Sequence, residues 1–408
     1  MLWTRYSTIF FVSLALAAAP ASAGVLEGNC RVANQPAATL LIPYFEVDLS
    51  EPTGMTTLVS VNNASARPAL ARVVLWTDWG IPTLAFDLYL TGYDVQTLNV
   101  RDLFNGKLPA TGPDASSVGL LSNKDTIFTG CGGGQGGISP NLDAAETAWL
   151  RAAHTGQPVT TSPSAQCAGS GGAGGHMAVG YITIDTVNRC SPRTVGTIVN
   201  TPAHATYFAD GGTGLASNAN VLWGDYYYVS SKKNTADSQT AVAIVADADV
   251  FQPGDYTFYG RYVGYDSRDN RAPLSSLYYA RYVDGGTFSG GTDLLVWRDN
   301  RKAGTATGAC GSNPDWSPLG ELQLIVFDEE ENPMEIPKSN AFPLATQRAH
   351  VGGASLPVAK PFGWLMMDLW HSDSTHAQAW VSVIMSAEGR FSTGHEAIRA
   401  DDLCNFGL

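Results

Sequence analysis

The chain has 408 residues, with 37 acidic and 24 basic side chains and a formal net charge of −13 at pH 7. This balance argues against a nucleic-acid partner, because neutralising phosphates requires a basic surface. Apolar residues make up 44% of the sequence and charged residues 15%, which excludes a disordered acidic protein and provides for a large buried core.

The first 23 residues have the features of a secretory signal peptide. Arg5 precedes an apolar stretch over residues 9–17, and residues 21–23 offer small side chains for cleavage. No later segment approaches the roughly 18 uninterrupted apolar residues of a membrane-spanning helix. We therefore expect residues 1–23 to be removed and the mature chain to be secreted, in the periplasm or outside the cell, without a transmembrane span.

Short β-branched and aromatic runs follow, separated by turn formers. Runs at residues 57–61, 71–76 and 86–90 predict an antiparallel N-terminal part over residues 24–112. Nine further runs predict a larger C-terminal β part over residues 179–408. The pattern favours a mainly β fold of antiparallel, immunoglobulin-like β-sandwich units.

A glycine-rich insertion with one helix is expected over residues 113–178, between the two β parts. Asn141 can cap a helix over residues 142–154, and Gly156 can end it. The apolar stripe of this helix is predicted to contain Leu142, Ala145, Trp149 and Ala153.

All six cysteines lie beyond the predicted leader, and none forms a C-x-x-C pair. In an oxidising compartment, an even number of isolated cysteines predicts three disulfides, with the pairing left open. The six are Cys30, Cys131, Cys167, Cys190, Cys310 and Cys404.

Three segments share two aliphatic residues, a Trp, any residue and an Asp. The tryptophans are Trp76, Trp223 and Trp297. Two interpretations stay open: a duplicated sandwich unit with an inward Trp on equivalent strands, or a chance resemblance between aromatic strands.

Ten of the 16 tyrosines lie between residues 223 and 282. If residues 256–265 form a strand, Tyr259, Arg261 and Tyr265 share one face. Such rings beside a guanidinium are suited to binding a polysaccharide or an envelope protein, and these three residues form the candidate binding site. The alternative is that Tyr is simply a good strand residue.

His371, Asp373 and His376 form the densest polar cluster. In an extended segment followed by a turn, their side chains can converge as ligands for zinc or another divalent ion. A polar hairpin without any metal accounts for the same residues.

Five carboxylates between residues 247 and 269 suggest calcium, which prefers oxygen ligands, whereas ordinary turn chemistry explains the same pattern. They are Asp247, Asp249, Asp255, Asp266 and Asp269.

Several scattered stretches resemble a family of secreted bacterial proteins that has no assigned activity. They are residues 41–45, 75–78, 89–96, 180–185, 222–226, 379–381 and 387–390. The resemblance implies an exported bacterial protein and carries no substrate or site with it.

These observations predict an exported, non-catalytic binding or structural protein of the bacterial cell envelope or extracellular space, with no cofactor. Neither a Gly-x-Ser-x-Gly nor a His-Glu-x-x-His motif occurs in the chain. The alternative is a secreted hydrolase that uses His371, Asp373 and His376 to bind a metal.

Overall fold

In the computed structural model, the described residues are 35–109, 141–160, 165–299, 307–311, 319, 322–336, 342–370, 377–387 and 389–400. The fold is mainly β and consists of several antiparallel sheets, which confirms the predicted fold class at that level. The predicted signal peptide, residues 1–23, lies outside the described residues.

Twenty-one strands and three α-helices are assigned among the described residues. The first eleven strands are β1 (Thr39–Asp48), β2 (Thr56–Asn63), β3 (Ala69–Thr77), β4 (Pro82–Leu90), β5 (Val95–Asn99), β6 (Gln166–Cys167), β7 (Met177–Val187), β8 (Thr194–Val195), β9 (Leu222–Ser230), β10 (Thr235–Thr240) and β11 (Val242–Ile244). The others are β12 (Leu277–Val283), β13 (Thr292–Arg298), β14 (Gly308–Ala309), β15 (Leu324–Asp328), β16 (Pro333–Glu335), β17 (Thr346–His350), β18 (Phe362–Asp368), β19 (Ala379–Ala387), β20 (Phe391–Glu396) and β21 (Ile398–Arg399). The helices are α1 (Val100–Phe104), α2 (Ala144–His154) and α3 (Gly260–Val263).

The first two sheets share one hydrophobic core. The larger has the order β11-β1-β7-β3-β4-β8, and the smaller has the order β10-β9-β2-β5. Ile42 and Val73 of the six-stranded sheet belong to the same buried cluster as Val59 and Tyr226 of the four-stranded sheet. The core therefore lies between these two sheets.

The six-stranded sheet is buried on both faces. Every residue of β3 and β4 is buried, and such strands appear in the sequence as continuous apolar runs. The second face contributes Val74 and Trp76 to a cluster with Phe258, Trp297 and Trp380 from later parts of the chain. Among the described residues, both faces of this sheet therefore contribute to buried clusters.

The second pair of sheets has the orders β16-β15-β18-β12-β21 and β17-β13-β19-β20. Leu294, Leu365 and Val381 belong to the buried cluster of this pair. Because side chains alternate along a strand, Leu295 of β13 faces the other way, and it belongs to the first core. The hydroxyl of Thr346 donates to the Pro43 carbonyl at 2.5 Å, so the two pairs of sheets are in direct contact.

Strands that are far apart in the chain pair with each other. β7 pairs with β1 and β3, and β9 pairs with β2, so these later strands complete the sheets that contain the N-terminal strands. The expected division into residues 24–112, 113–178 and 179–408 stays a prediction. The immunoglobulin-like topology is not confirmed, since that fold has sheets of four and three strands with a different order.

The helix prediction is confirmed, with two corrections. α2 begins at Ala144 because Asp143 is its N-cap, and Asp143 and Glu146 form a reciprocal capping box. The buried residues of α2 are Leu150, Ala153 and His154, so the buried stripe is rotated from the predicted one.

The disulfide prediction is confirmed for one pair. Cys167 and Cys310 are bonded across 143 residues, and they join the short strands β6 and β14. Cys190 is also disulfide-bonded. Cys30, Cys131 and Cys404 lie outside the described residues. Within the described part of the chain, no helix has the length and apolar character needed to cross a bilayer.

Candidate functional site

The predicted strand over residues 256–265 is wrong. This segment is a loop that contains α3, and Gly264 and Tyr265 have positive φ angles of 73° and 60°. Backbone N–H groups that a strand would use in a ladder bond locally instead: Tyr259 N donates to the Asp269 carboxylate at 2.7 Å, and Tyr265 N donates to the Gly260 carbonyl at 2.9 Å. An alternating exposed face therefore does not exist here.

Tyr259 is a core residue and is only 3% exposed. Its hydroxyl donates to Asp185 at 3.2 Å, as does the hydroxyl of Tyr207 at 3.0 Å. Arg271 lies 3.5 Å from the same carboxylate, and both charged groups are buried. Burial raises the pKa of Asp185, while the Arg271 guanidinium and the hydroxyl donors oppose that rise. This cluster accounts for Tyr259 without any ligand.

Arg261 lines the same small cavity as Tyr259, whereas Tyr265 does not line it. Arg261 pairs with Asp299 at 2.6 Å and stacks over the Tyr262 ring at 4.5 Å. The cavity beside them, between Trp76 and Tyr262, is about 10 Å³ in volume, which is room for roughly one water molecule. A binding role for Arg261 and Tyr265 stays a prediction.

The predicted metal ligands His371, Asp373 and His376 lie outside the described residues, so the metal-dependent hydrolase stays an untested alternative. Elemental analysis of the purified protein tests it directly. Among the described residues, no group of three or more His, Cys, Asp or Glu side chains is arranged to hold a metal ion. The carboxylates between residues 247 and 269, which are all described, therefore do not converge into a calcium site.

The exposed aromatic rings of the Tyr-rich region lie on β9. Its residues alternate between inward and outward, with Tyr226 and Tyr228 in the core. Trp223 is 48% exposed and Tyr227 is 39% exposed, both on the outer side of the four-stranded sheet. An inward Trp on equivalent strands is thus contradicted at Trp223.

Small polar residues surround these two rings. Asp225 lies between them on β9 and pairs in register with Ser60 of β2 and Thr240 of β10. Tyr227 pairs with Ser238 of β10. Thr97 of β5 lies opposite Ser60 and faces the same way. We call this outer side of the sheet β10-β9-β2-β5, with Trp223, Asp225, Tyr227, Ser60, Thr97, Ser238 and Thr240, the aromatic face.

A groove of about 440 Å³ adjoins the aromatic face, within the range of roughly 300–1,000 Å³ that is typical of small-molecule sites. Trp223 belongs to the aromatic face and also lines the groove. One side of the groove is the bend between β10 and β11, and the other comes from β19 and the β20–β21 region. The groove is lined by Gln35, Pro36, Trp223, Gly224, Thr240, Ala241, Val242, Ala243, Trp380, Glu396 and Arg399.

Gly224 shows why the strands can approach closely at this groove. A Cβ atom built at Gly224 would lie 2.3 Å from the Ser60 carbonyl oxygen, a distance that no side chain tolerates. Glycine therefore permits β9 to pair with β2 directly beneath the groove.

The polar side chains that line the groove include one carboxylate, Glu396, and one cation, Arg399. The Arg399 guanidinium lies 5.6 Å from the centre of the Trp380 ring. Desolvation raises the pKa of Glu396, and the nearby Arg399 opposes that rise. Trp380 itself is only 2% exposed, and its Nε1 is fully buried. The groove thus combines a carboxylate and a cation with two indole rings.

The sequence predicts some residues of this site but not others. The alternation along β9, with Asp225 on one side and buried tyrosines on the other, indicates which way Trp223 and Tyr227 face. Trp380, Glu396 and Arg399 come from strands more than 150 residues away in the chain, and no local pattern links them to β9.

Comparison of the chain with protein-family models, curated proteins and solved structures finds no match.

Proposed function

We propose that the protein is an exported, non-catalytic binding protein of the bacterial cell envelope or extracellular space. The observation that carries the proposal is the continuity of the aromatic face with the groove through Trp223. Exposed tryptophan and tyrosine provide large, rigid contact areas with polar tips, which is what binding surfaces require.

Export is supported by two separate features. Residues 1–23 have the charged, apolar and small-residue segments of a signal peptide. Cys167 and Cys310 form a disulfide, and disulfides persist in oxidising compartments. Both features favour a site of action outside the cytoplasm.

Cell fractionation and N-terminal sequencing test export. We expect the protein in the periplasm or medium, with Gly24 as its first residue. A chain that keeps residues 1–23 and stays in the cytoplasm would contradict the proposal.

Binding is tested by incubating the purified mature protein with immobilised peptidoglycan, a glycan panel and purified envelope proteins of the bacterium that produces it. Removing one ring that contributes about 1.4 kcal/mol weakens binding tenfold, so we expect Trp223→Ala to weaken the interaction by that factor or more. Trp364→Ala is the matched control, because Trp364 is also partly exposed, at 37%, and lies on a different sheet. If no probe binds, the binding function is rejected, and if a probe binds equally well to Trp223→Ala, the aromatic face is rejected as the binding site.

A further inference from the structure

We propose that the ligand of the aromatic face and groove is an uncharged polysaccharide chain. This inference rests on the proposed binding function and specifies its ligand.

The two exposed rings are spaced along one strand. Trp223 and Tyr227 are four residues apart on β9, and at about 3.3 Å per residue their Cα atoms are about 13 Å apart. The groove continues beyond Trp223. The site is therefore elongated, and sugar rings of one chain can stack their apolar C–H faces on successive aromatic surfaces.

The side chains between and beside the rings are mainly hydroxyls. Thr97, Ser238 and Thr240 each have a hydroxyl with one donor and two acceptor lone pairs, whereas the Ser60 hydroxyl exchanges hydrogen bonds with the Asn62 side chain and keeps one acceptor lone pair. A ligand rich in hydroxyl groups can satisfy such residues in either direction, since its own groups also donate and accept. An extended peptide would instead need a row of backbone groups in fixed order, which side chains on a sheet face do not supply.

The charges of the site disfavour an anionic polymer. Asp225 lies on the aromatic face between the two rings, and Glu396 lines the groove. Arg399 is the one cation that lines the groove among the described residues. The chain also has a formal net charge of −13, so a polyanion is repelled at long range and in contact.

Trp380 contributes its ring, and not its N–H, to the groove. The side chain lines the groove, but it is only 2% exposed and its Nε1 is fully buried. The groove therefore offers a further aromatic surface close to Trp223.

Affinity electrophoresis and calorimetry with defined soluble polymers test the proposal. The probes are neutral polysaccharides (a β-glucan, a mannan and a xylan), the polyanions alginate and heparin, and unstructured peptides of mixed composition. We expect at least one neutral polysaccharide to bind, and neither polyanions nor peptides to bind comparably.

Three variants locate the site. Trp223→Ala and Tyr227→Ala should each weaken binding about tenfold or more. Trp364→Ala should change binding less than twofold, because Trp364 stacks on Phe327 at 4.2 Å on the other exposed sheet. Thermal melting and near-UV circular dichroism confirm that each variant is folded.

The outcomes separate this inference from the proposed function. Trp223-dependent binding of a neutral polysaccharide supports both. Trp223-dependent binding of only a polyanion, a peptide or an envelope protein overturns the polysaccharide inference and leaves the binding function standing. Binding of a neutral polysaccharide that is unchanged in Trp223→Ala and Tyr227→Ala overturns the assignment of this site. Absence of binding to every probe overturns both.

Discussion

Asp78 is predicted to make the stability of the fold fall as the pH rises. Its side chain is 1% exposed and accepts from the backbone N–H of Ser170 at 2.9 Å. Desolvation raises its pKa from the ordinary 3.8 to about 7, although the backbone hydrogen bonds from Ser170 and Gly171 oppose the rise. The folded state therefore holds a proton that the unfolded chain has already released at neutral pH.

The direction and size of the effect follow from these two pKa values. Because the pKa of Asp78 is higher in the folded state than in the unfolded chain, the group stabilises the fold. This contribution to the free energy of unfolding is complete below pH 3.8 and is lost as the pH rises through about 7. The two pKa values differ by about 3, and a difference of 1 in pKa corresponds to about 1.4 kcal/mol, so the full contribution is about 4 kcal/mol. About 2.5 kcal/mol of that falls between roughly pH 5 and pH 8.

The pH dependence of the wild type alone does not isolate Asp78. His154 is fully buried, and desolvation lowers its pKa to about 4, so its contribution to stability changes in the opposite direction over the same range. The substitution Asp78→Asn removes the titration while its amide oxygen can still accept from Ser170. The informative quantity is therefore the difference between wild type and variant at each pH.

Urea unfolding at several pH values between 5 and 8 measures this difference. We expect Asp78→Asn to gain about 2.5 kcal/mol relative to wild type as the pH rises from 5 to 8. Asp210→Asn is the matched control, because Asp210 is exposed and the substitution removes the same charge. If the wild-type and Asp78→Asn curves stay parallel within about 0.5 kcal/mol over this range, the reasoning is refuted.

Three further changes probe other buried groups. Arg72→Met removes the partner of Asp87, which lies 2.6 Å away with both side chains fully buried, and should lower the free energy of unfolding by about 3–5 kcal/mol in urea titrations; a loss under about 1 kcal/mol would contradict the pairing. Joint replacement of Cys167 and Cys310 by Ser opens a loop of 143 residues and should lower the free energy of unfolding by about 2–5 kcal/mol. This difference from wild type should vanish when both proteins are measured under reducing conditions. His154→Leu should make the fold less sensitive to acid. Because the pKa of His154 is lowered from 6.5 to about 4, its contribution to the free energy of unfolding is complete above pH 6.5 and decreases by about 2 kcal/mol between roughly pH 7.5 and pH 5. Urea unfolding that shows the same acid sensitivity in wild type and variant would count against this assignment.

Strand patterns in the sequence predict much of this fold, because most strands contain buried apolar residues in runs or in alternation. Residues 256–265 mislead the same reasoning. Their aromatic residues have high β propensity, but Gly254, Gly264 and Asp269 supply turn geometry and local hydrogen bonds that outweigh it.

The helix shows a smaller error of the same kind. The sequence predicts Trp149 in the buried stripe of α2, but Trp149 is only half-buried and His154 is fully buried. His154 is neutralised by burial and bonded to Thr83 at 2.7 Å and to the Val179 carbonyl at 2.8 Å. A titratable residue in the core depends on partners from β4 and β7, which periodicity within one helix does not reveal.

The place of the candidate site follows from which sheet faces remain uncovered. The six-stranded sheet is covered on both sides, and the sheet β17-β13-β19-β20 contributes residues to both cores. Two outer faces are left among the described sheets. That of the five-stranded sheet carries Phe327, Phe362 and Trp364, with Arg281 in register with Trp364, whereas the aromatic face interleaves its rings with hydroxyls and one carboxylate. Of these two faces, the aromatic face is the one that adjoins the groove of about 440 Å³, so a ligand stacked on its rings can continue into a concave site lined by polar side chains.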